Sequence, residues 1–160
     1  MASPFPPSTV SGSGASSVTD FLSRDHRLCD ELLAAVEDGV GKGDWERAVR
    51  RFQDFRKALE HHLDMEEKVL FPAFEAATGM DHGPTFVMRG EHEQMRELMA
   101  ELAEAAEAKD ADGFLGRSET LNVLVQQHNM KEEQMLYPMA DDALGVESAE
   151  VLDGMRRLPQ

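Results

Sequence analysis

The chain has 160 residues, 31 of them acidic and 16 basic, for a formal net charge of −15. That length fits one domain, or two small halves sharing a core, and so acidic a surface repels nucleic acid and anionic membranes alike. Few aromatics among many Leu, Ala, Glu and Met suit a helical bundle, no apolar run approaches the ~20 residues of a bilayer span, and a single cysteine, Cys29, excludes an internal disulfide.

Residues 1–17 carry Pro4, Pro6, Pro7, Gly12 and Gly14 among serines and threonines. Such a stretch buries too little apolar area to offset its ordering entropy, so a disordered tail is expected. It has neither a basic start nor an apolar stretch, so no signal peptide is expected and the location reads as cytoplasmic.

A first helix is predicted from near Val18, with Leu22, His26, Cys29, Leu33 and Val36 on one face. A turn centred on Gly43-Asp44 follows. Asp44 is a candidate N-cap for a second helix, whose inner stripe is Phe52, Phe55, Leu59, His62, Glu66 and Val69. Pro72 lacks an N–H and its ring crowds the carbonyl of Lys68, so a kink or an end is expected there, with a short continuation to about Ala77. Gly83-Pro84 opens a third helix with Met88, His92, Met95, Met99 and Leu102 inside. The fourth runs from about Ala111, with Phe114, Ser118, Leu121, Val125, His128, Glu132, Met135 and Met139 inside and a break at Pro138. Residues 141–160 form a C-terminal extension, in which 148–157 can close one end of the bundle through Val151, Leu152 and Met155.

One motif occurs twice. His62-Leu-Asp-Met-Glu66-Glu67-Lys-Val-Leu-Phe71-Pro72 and His128-Asn-Met-Lys-Glu132-Glu133-Gln-Met-Leu-Tyr137-Pro138 both read His-x3-Glu-Glu-x2-Leu-aromatic-Pro, 66 residues apart. The same offset carries His26 onto His92 without a gap, so each half has the same 36-residue interval from its first histidine to its motif. Four histidines and two Glu-Glu pairs match where most other positions do not. The fold expected is all-α: an antiparallel up-down-up-down four-helix bundle with an internal two-helix duplication over residues 18–140. At 1.5 Å per residue the hairpins bring His26 level with His62 and His92 level with His128.

The chemistry follows from the faces. A histidine and a glutamate four residues apart share one side of a helix, so His62 and Glu66 both point inward, as do His128 and Glu132. Two ionised glutamates in an apolar core cost several kcal/mol each, roughly, unless compensated. Arg96 is one candidate cation for two carboxylates. Bound dications are the economical alternative, and four imidazoles with two carboxylates suit two metals, each with two histidines and both glutamates bridging. Imidazole plus carboxylate suits iron, manganese or zinc. A bridging oxo or hydroxo group raises each ion to five ligands and leaves an octahedral vacancy, where a small diatomic or peroxide can bind. The Glu-x-x-His spacing of ferritin-like sites is missing, which argues against ferroxidase-type storage.

Other polar residues carry blander readings. Glu67 and Glu133 sit ~100° around the helix from the ligand face, so they read as solvent-side or as supports behind the ligands. His61 reads as exposed, His82 as a turn residue and Asp30 as either a surface acid or an orienting partner of His26. The methionines Met88, Met95, Met99, Met130, Met135 and Met139 read as core filling rather than as a copper site. Tyr137 is a candidate redox residue, although its counterpart is Phe71, so the hydroxyl is not shared by the repeat. Cys29 reads as a small core residue.

His26, His62-x3-Glu66, His92 and His128-x3-Glu132, in register, resemble the hemerythrin-like family, specifically the bacterial HHE cation-binding domains. The resemblance covers about residues 18–140. It implies a four-helix bundle around a non-haem di-iron centre of two iron ions, carboxylate-bridged and with an oxo or hydroxo bridge. It also implies that His26 and His62 ligate one iron and His92 and His128 the other, with Glu66 and Glu132 between them. The chain departs from the oxygen carriers of that family. These use a fifth histidine as His-x3-His on the third helix, where Met88 and Arg96 stand here. Their last bridging carboxylate lies five residues after its histidine, which is Glu133 here, while Glu132 fits the helix face better. The set looks more like the di-iron proteins that respond to nitric oxide and repair iron–sulfur centres, but those carry an N-terminal cysteine-bearing domain for which residues 1–17 leave no room. These departures weigh against both simple oxygen carriage and full repair activity. The function expected is to bind, sense or detoxify O2, NO or peroxide, with an unidentified redox partner; the alternative is a metal store or iron donor.

Overall fold

Two matching turns set the frame. In the computed structural model, which describes residues 17–160, every regular element is helical. The tail expected for residues 1–17 lies outside the described residues except for Ser17, whose Oγ accepts from the Asp20 N–H at 3.0 Å and caps α1 (Val18–Gly41). The Asp141 carboxylate accepts from the Val18 and Thr19 N–H groups and the Thr19 hydroxyl at 2.6–3.1 Å, fixing the start of α1 to the far end of the chain. After α1 the chain turns through Gly43 at φ 72° into α2 (Trp45–Met65), capped by Asp44, whose side chain accepts from the Arg47 N–H. One repeat later Lys109 takes the same left-handed turn at φ 52°, and Asp110 caps α5 (Ala111–Lys131) by accepting from the Gly113 N–H. The glycine supplies that conformation without steric cost, whereas the lysine carries its strain.

Between these hairpins run α3 (Phe71–Thr78) and α4 (Pro84–Glu107); after α5 come α6 (Tyr137–Leu144) and α7 (Ser148–Arg157). α1 packs on α2 and α5, and α4 packs on α5 and α2, which closes an antiparallel four-helix bundle. α7 lays Val151, Leu152 and Met155 against one end of the bundle, and these side chains are buried as expected. Among the described residues no helix is long and apolar enough to cross a membrane.

Neither proline ends its helix: the chain runs on through Pro138 to Leu144 and, close to the short continuation expected, through Pro72 to Thr78. The turn before Pro72 widens over Glu66–Leu70, so that the Phe71 N–H bonds to the Glu66 carbonyl five residues back. The second copy does the same over Glu132–Leu136, with the Tyr137 N–H on the Glu132 carbonyl. Each proline then falls in the first turn of α3 or α6, where its missing donor is harmless. The inserted residue shifts the helical phase by one. The expected inner positions Met135 and Met139 therefore turn outward, while Val69 stays partly buried against the core: Met135 is 58 % exposed, and Leu136, Tyr137 and Ala140 are buried instead. In the first half Leu70, Phe71 and Phe74 take the matching inner positions. Met130 is also exposed, so the core-filling reading holds for Met88, Met95 and Met99 only.

The core is two apolar clusters with a polar layer between them. Cys29, Leu33, Phe52, Phe55, Leu59, Met95, Met99, Phe114 and Leu121 belong to the cluster toward the two hairpin turns. Val18, Leu22, Met65, Leu70, Phe71, Phe74, Met88, Leu136, Tyr137 and Met155 belong to the other. On α1, His26 sits between Leu22 and Cys29; on α4, His92 sits between Met88 and Met95. Apolar burial on both sides, about 1.5–3 kcal/mol per large side chain, holds a layer that is itself costly to bury.

Candidate metal centre

The six residues singled out by the repeat converge in that layer. His26, His62, Glu66, His92, His128 and Glu132 are each at most 4 % exposed. One donor atom from each of Glu66, His92, His128 and Glu132 lies within 4.8 Å of the others, and the same is true of His26, His62 and Glu132. The histidines lie level across each hairpin: the His26 and His62 rings are 4.6 Å apart, and those of His92 and His128 are 5.0 Å apart.

Each glutamate reaches across the duplication. Glu66 Oε1 lies 3.2 Å from His62 Nε2 and 3.3 Å from His92 Nε2. Glu132 Oε1 lies 3.0 Å from His128 Nε2 and 3.2 Å from His26 Nε2. A single carboxylate oxygen thus meets one imidazole from each half. The widened turns begin at these two glutamates, and they swing the following residues so that Tyr137 and Phe71 close the layer from one side.

Close approach here is not hydrogen bonding. His62 Nε2, His92 Nε2, His128 Nε2, Glu66 Oε1 and Glu132 Oε2 are buried without a hydrogen-bond partner, although most have a polar neighbour near 3 Å. The geometry is misaligned for a proton between them. Buried groups of this kind are almost always satisfied, and a cluster of orphaned donors about 3 Å apart has the spacing of neighbouring ligands on one ion. The residues present therefore fit a metal.

Outward-facing acids hold the rings. His62 Nδ1 donates to Asp25 Oδ2 at 2.6 Å, and His128 Nδ1 donates to Glu91 Oε1 at 2.9 Å. His26 Nδ1 lies 3.2 Å from Glu133 Oε2, and His92 Nδ1 lies 3.6 Å from Glu67 Oε1. Holding Nδ1–H on a carboxylate turns Nε2 inward as the free donor. Glu133 is thus a support behind its ring, one of the two readings given to it, whereas Glu67 stands near His92 but leaves His92 Nδ1 without a hydrogen bond. Asp25 and Glu91 are residues that sequence reasoning missed. Their signal was available: each is an acid directly before the first histidine of its half, and the two stand 66 residues apart.

The charges reinforce one another in the metal-free chain. Burial pulls the His62 imidazole down, but Glu66 and Asp25 outweigh it and raise its pKa well above the ordinary value. His92 is raised to about 9, burial again being overcome by Glu66 and Glu67. His128 is raised the same way, by Glu132 against burial. For Glu66, burial acts upward, yet His62, Glu132 and His92 hold it well below the usual carboxylate range. Protons on the imidazoles thus balance the buried carboxylates until a cation replaces them.

Arg96 does not enter the layer. Its guanidinium grips Glu67 through two bonds of 2.8 Å and also reaches Glu60 and Glu93. Although burial acts upward on Glu67, Arg96 draws its pKa down to about 2. The other candidates stay outside as well. Asp30 accepts from Gln126 Nε2 rather than orienting His26. His82 is exposed beside Asp81. His61 is half-buried instead of exposed, because its Nε2 lies 3.1 Å from the Leu158 carbonyl at the end of α7. Cys29 is buried, and burial pushes its thiol up to about 11.

Comparison with known families agrees with this geometry. The family model described as the hemerythrin HHE cation-binding domain matches residues 17–140. No curated protein and no solved structure matches the chain significantly. The matched span contains both hairpins and all six converging residues, and the chain belongs to the hemerythrin HHE cation-binding family.

Proposed function

We propose that the chain holds two iron ions, with His26 and His62 on one, His92 and His128 on the other, and Glu66 and Glu132 bridging, and that this centre binds, senses or detoxifies a small oxidant such as O2, NO or peroxide. The observation that carries the reading is the set of orphaned imidazole and carboxylate atoms about 3 Å apart in a fully buried layer. When bound, a pair of redox-active ions supplies electrons and an open position to a small ligand. The chain supplies the rest. Asp25, Glu91 and Glu133 fix the tautomer and direction of the His62, His128 and His26 imidazoles. Two apolar clusters exclude bulk water and strengthen each interaction within the layer. Burial of the layer restricts access to small molecules and argues against a bulky organic substrate.

Stopped-flow mixing of the reduced, iron-loaded protein with NO, O2 and H2O2 in turn tests the reading. A fast spectral change with at least one of them is expected. Reversal on removing the ligand marks binding or sensing, and consumption beyond one equivalent marks detoxification. Indifference to all three contradicts the oxidant reading and leaves the metal-store alternative.

A further inference from the structure

Tyr137 is the only tyrosine in the chain, and its side chain is wholly buried. Its Oη lies 2.9 Å from Glu66 Oε2, 3.0 Å from Glu132 Oε1 and 3.1 Å from His26 Nε2. A phenol has one proton to donate. It can serve one of the two glutamate oxygens, while the phenol oxygen accepts from His26 Nε2–H. Hydrogen bonding by a neutral phenol therefore leaves the second glutamate contact without a proton.

Ligation explains all three. Neighbouring ligands on an octahedral ion with bonds of about 2.1 Å lie ~3.0 Å apart. Tyr137 Oη, His26 Nε2 and Glu132 Oε1 form a triangle with sides of 3.0, 3.1 and 3.2 Å. The Tyr137 ring also stacks on His26, with centroids 5.6 Å apart and an interplanar angle of 25°. The phenol oxygen thus stands beside His26 Nε2 and Glu132 Oε1, two residues of the group whose donor atoms, with one from His62, lie within 4.8 Å of one another.

We propose that Tyr137 Oη is a metal ligand on the His26/His62 side of the centre, a phenolate added to the four imidazoles and two carboxylates. On ligation the phenolic O–H bond breaks, its proton leaves to the buffer, and an oxygen lone pair forms the bond to the ion. No oxidation state changes. The inference rests on the dinuclear reading and sharpens it, because the repeat is not symmetric here. The counterpart of Tyr137 is Phe71, which stacks on His92 at the same 5.6 Å but carries no oxygen. The His26/His62 side therefore gains a protein ligand, and the His92/His128 side is the one left open to a small exogenous ligand.

The test is the visible and resonance Raman spectrum of the ferric, iron-loaded protein, with iron per chain measured on the same sample. The expected result is two irons per chain, a phenolate-to-iron charge-transfer band in the visible, and phenolate ring modes enhanced by excitation within it. With one tyrosine in the chain, such modes have a single source. Tyr137→Phe is expected to keep both irons and lose the band and the modes. Two irons without phenolate modes in the unaltered protein overturn the ligand assignment and leave the dinuclear centre standing, with Tyr137 reduced to a hydrogen-bond donor. A protein that binds no iron overturns both. Should Tyr137→Phe fail to fold, the Raman spectrum of the unaltered protein decides alone.

Discussion

Asp25 Oδ2 lies 2.6 Å from His62 Nδ1, a contact between the first two helices that fixes which imidazole nitrogen faces the centre. Its counterpart joins Glu91 to His128 at 2.9 Å. Losing such an orienting acid typically weakens metal affinity by about 10–100-fold. Asp25→Asn and Glu91→Gln are each expected to do so, as read by competition with a chromophoric chelator, while the circular dichroism spectrum stays helical. Affinity unchanged in both variants would mean that packing alone orients the rings.

The two inner glutamates are expected to matter more. Glu66 and Glu132 each sit between an imidazole of one half and an imidazole of the other. Glu66→Ala and Glu132→Ala should each lose metal, measured as metal per chain after gel filtration. Retention of both ions in either variant contradicts the bridging assignment.

The widened turn makes a prediction about two adjacent residues. Met135 is 58 % exposed and Leu136 is 2 % exposed. Leu136→Ala should cost about 2–5 kcal/mol in urea denaturation of the metal-free protein, and Met135→Ala less than about 0.5 kcal/mol. The reverse order would restore an uninterrupted α-helix through Pro138 and remove Tyr137 from the layer.

Cys29 gives a pH dependence. Burial is the main cause that pushes its thiol up to about 11, and the thiolate is the reactive form. Raising the pH toward 11 generates it; at pH 8 only about one thiol in a thousand is ionised. Iodoacetamide is therefore expected to leave the native protein unmodified at pH 8 over the time in which the urea-unfolded chain is fully alkylated, followed by mass spectrometry. Equal rates would place Cys29 outside the core.

Much of this centre was legible in the sequence because a duplication repeats what is constrained. The matched spacing of His26 and His62 with His92 and His128 placed four imidazoles at one level, and the His-x3-Glu faces added Glu66 and Glu132. The turns were legible for a local reason: Asp44 and Asp110 are N-caps with their own side-chain bonds. What periodicity missed depends on one hydrogen bond per half. A 3.6-residue pattern carried through Pro138 assigns Met135 and Met139 to the inside, and only the shift of the Tyr137 N–H group to the carbonyl five residues back corrects it, as the Phe71 N–H does in the first half. The same shift brings Tyr137 Oη to the carboxylates. Arg96 was ambiguous because its partner, Glu67, lies 29 residues away on another helix, and no local pattern reports such a pair.

The central claim is that six buried side chains form one dinuclear centre, and metal stoichiometry tests it most directly. The protein is expressed in iron-replete cells, purified without chelators, and its metal and chain concentrations are measured by plasma mass spectrometry and amino-acid analysis. Two metal ions per chain, falling below one in Glu66→Ala and in Glu132→Ala, is the result predicted. A fully folded protein with no bound metal, unable to take up iron, manganese or zinc after reduction, contradicts it.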